Sequence, residues 1–271
     1  MTELVVRRLL VDLQTPLPRH WLGGDAFRTA FFNALSMSFP VGEQFFIDSV
    51  RLGIQALPEP AAALAEGVKA FIGQEATHRR LHELFNTHLA QQGLVNTLAP
   101  RALKRLKRLD GVPAAAHVGM TAATEHFTAI MAEYFMSRPD WFAGTEPRLM
   151  TLWQWHASEE LEHCGVAYDL YIALGGPLKW RRRFFYITTL YFLIDMLRQT
   201  VNNLHHDGSL WRRSTWASAW RTILGRDGLM RVLAGPWRHY LRADFHPHQL
   251  VSGLGPDWLV ANANHWRAVG A

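Results

Sequence analysis

Apolar residues recur at intervals of three and four through most of the chain, which is the spacing of one face of an α-helix. This periodicity predicts helices over residues 25–57, 61–92, 114–136 and 146–174, and a fifth helix that starts near Leu178. Pro40 inside the first segment predicts a kink or a break. Alternating β-branched runs are scarce, so strands are not expected. The predicted fold class is therefore all-α.

The regions outside these helices are richer in helix breakers. Residues 1–24 read as an irregular leader with charges in its only apolar stretch, unlike a secretory signal. Residues 101–108 (RALKRLKR) predict a short exposed helix or turn, and the Trp- and Arg-rich stretch after about Asn202 predicts two or three shorter helices. We expect one domain over residues 1–271, with a helical bundle at 25–200 and a helical C-terminal extension at 201–271.

An apolar run of the chain, FFYITTLYFLIDML at 184–197, is too short to span a bilayer and contains Asp195. A buried bundle helix is the expected structure. The alternative is a helix that lies on a membrane face, which the adjacent KWRRR and the aromatic residues favour.

Composition excludes several classes of protein. Apolar residues make up 49% of the chain and charged residues 19%, which is a globular composition. The single cysteine, Cys164, excludes a disulfide framework and favours a reducing compartment. The net charge of +5 comes without any nucleic-acid-binding motif, so nucleic acid is not an expected partner. We expect a cytoplasmic protein, with peripheral contact at the inner membrane surface as a further option.

Two Glu-x-x-His motifs, at Glu75–His78 and at Glu160–His163, carry the chemistry of the sequence. Residues three apart project to one side of a helix, so each motif can offer a carboxylate and an imidazole to one metal ion. Each motif follows a lone glutamate, Glu43 or Glu125, at a distance of 32 or 35 residues. Such spacing suits antiparallel helix pairs. This order of ligands is the pattern of ferritin-like di-iron and di-manganese carboxylate bundles.

Charge favours the same interpretation, because all four glutamates have apolar neighbours and buried unpaired carboxylates are costly. Two divalent cations would neutralise four carboxylates. We expect two iron ions, with manganese or a mixed manganese–iron pair as alternatives, since oxygen and imidazole ligands suit both metals. The predicted ligands are Glu43, Glu75, His78, Glu125, His156, Glu160 and His163, with Glu75 and Glu160 as the bridging, catalytic pair.

Other polar side chains near these motifs are candidates for supporting roles. His156 lies four residues before Glu160 and is either a ligand of the second metal or a hydrogen-bond partner of a ligand carboxylate. His82 and Glu159 are expected to support ligands through hydrogen bonds, with an exposed position open for His82 and a bridging role open for Glu159. Asp195 is expected either to accept a hydrogen bond from a ligand imidazole or to make a local polar contact. Glu162 is expected to be solvated.

The chain resembles a bacterial family of predicted metal-dependent hydrolases. The matching stretches are SFPVGEQFFIDSVR, FIGQEATHRRLHELFN, TAATEHFTAI, WQWHASEELEHCGVAYDLY and FHPHQL, which together span most of the sequence. The order of the seven predicted ligands is also similar to that of the non-haem di-iron arylamine N-oxygenases, including the extra histidine before the last glutamate. The two resemblances imply different reactions.

Three functions follow from these observations. The leading hypothesis is a di-iron oxygenase or oxidase that acts on a hydrophobic or aromatic small molecule and needs an electron donor. In it, one iron has Glu43 and His78 as ligands, and Glu125, His156 and His163 bind the other. The second is a two-metal hydrolase, although the sequence lacks the Asp- and His-rich loop motifs of the usual two-metal hydrolases. The third is a non-catalytic metal-binding or membrane-surface protein.

Overall fold

The first two helices form an antiparallel pair in a computed structural model that describes residues 4–269. Helix α1 (Ala26–Gln55) is capped by Asp25, whose side chain accepts a hydrogen bond from the Arg28 amide. Helix α2 (Ala62–Gln91) follows a turn that contains Pro58 and Pro60. Both helices begin and end within two residues of the predicted limits.

Pro40 lies inside α1 without breaking it, so the break that was one of the two expected effects does not occur. A proline has no amide hydrogen, so the Ser36 carbonyl one turn earlier loses its usual helical donor. The side chain of Asn86 on α2 donates to this carbonyl at 2.9 Å. A residue of the neighbouring helix therefore satisfies the group that the proline leaves free.

The bundle is completed by α4 (Ala114–Met136), α5 (Pro147–His163) and α6 (Val166–Ala173). Helix α1 packs against α2 and α4, α4 packs against α5 and α6, and α2 closes the ring against α5 and α6. The predicted helix over 146–174 is thus two helices that separate at Cys164 and Gly165. A β-carbon at Gly165 would lie 2.8 Å from Nε2 of His248, so the C-terminal region packs directly against this break.

The remaining helices surround the bundle. Helix α3 (Leu98–Leu106) carries the basic segment, and α7 (Leu178–His206) packs against α1 and α4. The C-terminal region adds α8 (Arg213–Leu224), α9 (Leu229–Val232), α10 (Ala234–His239) and α11 (Leu254–Ala261), four short helices where two or three were predicted. Across residues 4–269, helices of sufficient length lack the apolar composition needed to cross a membrane.

Two short strands are the main departure from the predicted all-α pattern. Strand β1 (Arg7–Leu9) pairs antiparallel with β2 (Trp266–Ala268), and Arg7 lies opposite Ala268. The segment predicted as an irregular leader is therefore tied to the far end of the chain. This contact joins residues that local sequence patterns cannot relate, because each strand is only three residues long.

Candidate metal centre

The four glutamates predicted as ligands are brought together inside the bundle, one from each of α1, α2, α4 and α5. Glu43, Glu75, Glu125 and Glu160 are at most 4% exposed. Phe71 packs edge-on to His163 and Trp155 edge-on to His78, so aromatic rings line the cluster. Since apolar surroundings give carboxylates no solvation, their charges must be balanced within the cluster.

The ligand atoms form overlapping groups of three. One atom from each of Glu75, Glu160 and His163 lies within 4.8 Å of the other two, and the same holds for Glu43, Glu75 and His78. A third group joins His78, Glu160 and His156. A fourth group joins Glu43, His82 and His156. Glu75 and Glu160 each share groups with both His78 and His163, as expected of carboxylates that lie between two metal positions.

Many of these atoms are buried without a hydrogen-bond partner. Nε2 of His163 lies 3.1 Å from a Glu75 oxygen and 3.2 Å from a Glu125 oxygen, but without hydrogen-bond alignment. Buried polar atoms are nearly always satisfied in proteins, so an unpaired set that converges fits bound cations. Of the seven predicted ligands, all within the described residues, the unpartnered atoms are both carboxylate oxygens of Glu43, Glu75 and Glu125, Oε2 of Glu160, Nδ1 of His78 and Nε2 of His163.

The other nitrogen of each motif histidine is held by a polar side chain. Nε2 of His78 donates to Glu159 at 3.0 Å, and Nδ1 of His163 donates to the Gln74 side-chain oxygen at 3.0 Å. Such bonds fix the tautomer and the ring orientation of a metal-binding histidine. Each ring thereby presents its free nitrogen to the cluster. The expectation that Glu159 supports a ligand agrees with this geometry.

A further layer supports these partners. Arg7 of β1 donates to Glu159 at 3.1 Å and to Glu162 at 2.6 Å. The Gln74 amide nitrogen donates to the same Glu162 carboxylate at 3.1 Å. The expectation that Glu162 is solvated is therefore wrong, because its side chain is only 16% exposed and links the two supporting groups.

His156 lies beside His78 and makes the hydrogen bond to a predicted ligand carboxylate that was one of its two expected roles. Its ring stacks on that of His78 with centroids 4.1 Å apart, and its Nε2 donates to Glu160 at 2.9 Å. The geometry therefore groups His156 with His78 and not with Glu125 and His163. Its Nδ1 lies 2.7 Å from Nε2 of His82. The His82 side chain is fully buried, so the exposed position that was open for it is excluded.

Asp195 does not belong to this cluster, which corrects the expectation that it accepts from a ligand imidazole. Its carboxylate pairs with Arg105 and, at 3.4 Å, with Arg101 of helix α3. The imidazole N–H groups of His78 and His163 have the other acceptors already described. Asp195 makes the local polar contact that was the alternative.

The pKa values in the cluster are shifted because several carboxylates and imidazoles are buried close together. Burial and the Glu75 charge raise the pKa of Glu43 well above its usual range, and burial with the Glu160 charge raises the pKa of Glu125 to about 8. Burial would lower the pKa of His78, but hydrogen bonds to Glu159 and Glu160 prevail and raise it to about 10. Carboxylates thus retain protons and an imidazole carries charge, as mutual neutralisation requires.

Sequence reasoning missed Arg7 and Gln74. Gln74 directly precedes a predicted ligand, and its place four residues before His78 was a weak signal that it faces the bundle interior. Arg7 offered no local signal, because its partner Glu159 is 152 residues away in the chain.

Comparison with known proteins gives one finding. The family model described as predicted metal-dependent hydrolase matches residues 5–250, which confirms the resemblance in the sequence. No curated protein and no solved structure matches the chain. The leading hypothesis of a di-iron oxygenase or oxidase is wrong on this finding, because the family is described as predicted metal-dependent hydrolases. The hydrolase alternative is supported, and hydrolysis needs no electron donor.

Proposed function

The chain belongs to the family of predicted metal-dependent hydrolases, and from that premise we propose that it hydrolyses a small molecule with two divalent metal ions. The convergence of unpartnered carboxylate oxygens and imidazole nitrogens, observed within the described part of the chain, supports this proposal most. Uncompensated buried charges are strongly destabilising, whereas the same atoms become ligands when cations are present.

We assign Glu43 and His78 to one ion, and Glu125 and His163 to the other. Glu75 and Glu160 would contact both ions, which is supported by their grouping with His78 as well as with His163. His156 would join the ion beside His78. The arrangement would then be ferritin-like in its ligand order, with Glu75 and Glu160 as the carboxylates nearest the reaction.

The chain's own residues would prepare the site before substrate arrives. Glu159 orients His78, Gln74 orients His163, and Arg7 holds Glu159 in place. Because these partners are themselves buried, the ligand rings have little freedom to reorient. Two divalent ions, when bound, would lower the pKa of a water molecule and stabilise negative charge that develops on the substrate.

The identity of the metal remains a prediction. Carboxylate and imidazole ligands suit iron and manganese, and the set contains no thiolate. We therefore propose two iron ions, with manganese or a mixed pair as alternatives.

Metal content and hydrolysis can be measured together on the full chain. We expect near two ions per chain by elemental analysis, and chelator-sensitive hydrolysis of at least one of a carboxylic ester, an amide and a phosphate ester. Glu75→Gln is expected to lower both measurements. Glu83→Gln on the same helix, with a side chain that is 54% exposed, is the matched control and is expected to leave both unchanged.

Three results would contradict the proposal. Protein that binds no metal, or that keeps its activity after chelation, would exclude a metal-dependent reaction. Two bound ions without hydrolysis of any of the three substrate classes would exclude the hydrolase.

A further inference from the structure

Helix α7 exposes a continuous apolar face to solvent. Every exposed side chain of residues 184–197 is apolar or aromatic, and each is between 38% and 65% exposed. Their spacing of three and four residues places them on one side of the helix. Apolar patches of this kind mark interaction sites, not ordinary surface. The exposed residues, called here the α7 stripe, are Tyr186, Ile187, Leu190, Tyr191, Leu193, Ile194 and Leu197.

Basic side chains lie at both ends of the α7 stripe. Lys179, Arg182 and Arg183 are exposed before it, and Arg198 is exposed after it. Along its side, Arg105 of the basic helix α3 stacks over the Tyr191 ring at 4.6 Å. An apolar face bordered by cations is the composition of helices that lie in the interface of an anionic membrane.

A large apolar cavity opens beside this stripe. Its volume is about 570 Å³, and it lies between α1, α4, α7 and the C-terminal helices α8, α9 and α10. Leu193 and Leu197 belong both to the α7 stripe and to the cavity wall, so the cavity opens onto the exposed apolar face. Phe31, Phe127 and Trp237 line its interior. A volume of this size suits a small-molecule ligand, and the lining suits an apolar chain.

The cavity also approaches the candidate metal centre. A second, narrow cavity of about 40 Å³ is lined by His156 and Glu160. Met131 of α4 lines both cavities, so the two cavities are neighbours at this side chain. Methionine is unbranched and flexible, and its rotation can connect two neighbouring spaces.

We propose that the α7 stripe binds an anionic membrane surface and that the large cavity takes the apolar chain of a lipid ester for hydrolysis at the metal centre. The substrate assignment rests on the proposed function. In the reaction, water adds across the ester: the acyl carbon–oxygen bond breaks, the acyl carbon gains hydroxyl, and the departing alcohol oxygen gains hydrogen.

A second copy of the chain fits the stripe less well than a membrane does. Antiparallel packing of two stripes would bring Arg182 and Arg183 of one copy towards Arg198 of the other. Like charges at both ends oppose that contact, whereas anionic lipid headgroups complement them.

Membrane binding can be tested by sedimentation of the full chain with vesicles. We expect binding to phosphatidylglycerol vesicles at low salt and much weaker binding to phosphatidylcholine vesicles. Leu190→Asp should lower the bound fraction by about tenfold or more, because Leu190 is 57% exposed at the centre of the stripe. Leu84→Asp on α2, where the leucine is 44% exposed, is the matched control and should bind as wild type does.

Two outcomes would overturn the proposal that the α7 stripe binds a membrane surface. The first is a failure of the binding assay, in one of two forms. Either wild type and Leu190→Asp sediment equally with the vesicles, or wild type stays in the supernatant with both kinds of vesicle. The second is a wild-type dimer in gel filtration that Leu190→Asp converts to a monomer, since the stripe would then be an interface between copies.

Chain binding can be tested without turnover, by titration with a fluorescent long-chain fatty acid. Ala234→Phe places bulk in the cavity wall and should weaken binding by about tenfold, whereas Ala90→Phe on the exposed side of α2 should not. Leu197→Glu is a second variant, at the rim of the large cavity, and should weaken binding as well. Because Leu197 is 65% exposed, its replacement does not disturb the packing of the core. Unchanged affinity in both cavity variants would overturn the assignment.

Hydrolysis of a short, water-soluble acyl ester separates the two proposals. Turnover of that ester together with failure of vesicle and fatty-acid binding overturns this inference and leaves the proposed function standing. Binding of both probes by a chain that holds no metal and hydrolyses no ester overturns the proposed function and the substrate assignment with it.

Discussion

Replacement of Glu125 by glutamine is expected to stabilise the metal-free protein and to destabilise the metal-loaded one. Glu125 is buried beside Glu160 and His163, and both of its oxygens lack a hydrogen-bond partner within residues 4–269. Without metal, burial and the neighbouring Glu160 charge favour the protonated form of this carboxyl group, which costs stability at neutral pH. With metal, we propose that the same carboxylate is a ligand, so its loss would remove part of the stabilisation that binding provides.

The expected change in the free energy of unfolding follows from the pKa of Glu125. Burial and the Glu160 charge raise this pKa from 4.5 to about 8 in the folded protein. A carboxyl group with a raised pKa keeps its proton in the native state at pH values where the unfolded chain has released it. Its contribution to stability is therefore lost as the pH rises from 4.5 to about 8, at about 1.4 kcal/mol per pH unit. At pH 7 the accumulated cost is about 3 kcal/mol, which a neutral glutamine avoids.

The assay is urea unfolding of chelator-treated protein at pH 5.5 and pH 7.0. We expect the gain in unfolding free energy from Glu125→Gln to be about 2 kcal/mol larger at the higher pH. Glu83→Gln should show no such difference, because that glutamate is exposed. After loading with manganese the order should reverse, with wild type melting at the higher temperature. A variant that destabilises the metal-free protein equally at both pH values would refute the reasoning.

Three other substitutions test the network around the cluster. Gln74→Leu removes the acceptor of the His163 N–H and should lower metal affinity by about tenfold to 100-fold in competition with a chelator; unchanged affinity would exclude this role. Arg7→Ala leaves Glu159 without its buried cation and should cost about 3 kcal/mol in urea unfolding, and a cost near zero would contradict the buried pairing. Asp195→Asn should leave metal stoichiometry unchanged in elemental analysis, since the partners of Asp195 are arginines of α3. Loss of metal in this variant would show that Asp195 supports the metal ligands after all.

The helices were predictable because their information is local. Apolar spacing and helix breakers gave α4 its observed limits of Ala114–Met136 and gave α1 and α2 theirs within two residues. Whether Pro40 would break the first helix could not be decided locally, because the side chain that satisfies the freed Ser36 carbonyl, that of Asn86, belongs to another helix. The break at Gly165 was missed for a similar reason, since His248 of the C-terminal region packs against it.

The candidate site also has a part that the sequence predicted and a part that it did not. The two Glu-x-x-His motifs and the two lone glutamates could be identified from the sequence, because helical spacing and charge neutrality restrict which residues can share a cluster. Their convergence agrees with that prediction, while their role as ligands stays a proposal. The grouping of His156 with His78, by contrast, depends on which faces of α2 and α5 meet.

The sequence by itself determined the helical elements and the set of candidate ligands, because both depend on residues a few positions apart on one helix. Only the tertiary structure decided the support around those ligands: Arg7 beside Glu159, Gln74 beside His163, and Asp195 turned away to α3. The same is true of the large cavity that opens onto the α7 stripe and of the small cavity beside the cluster. Such features depend on the relative placement of distant segments, which packing of whole helix faces determines and no short sequence pattern encodes.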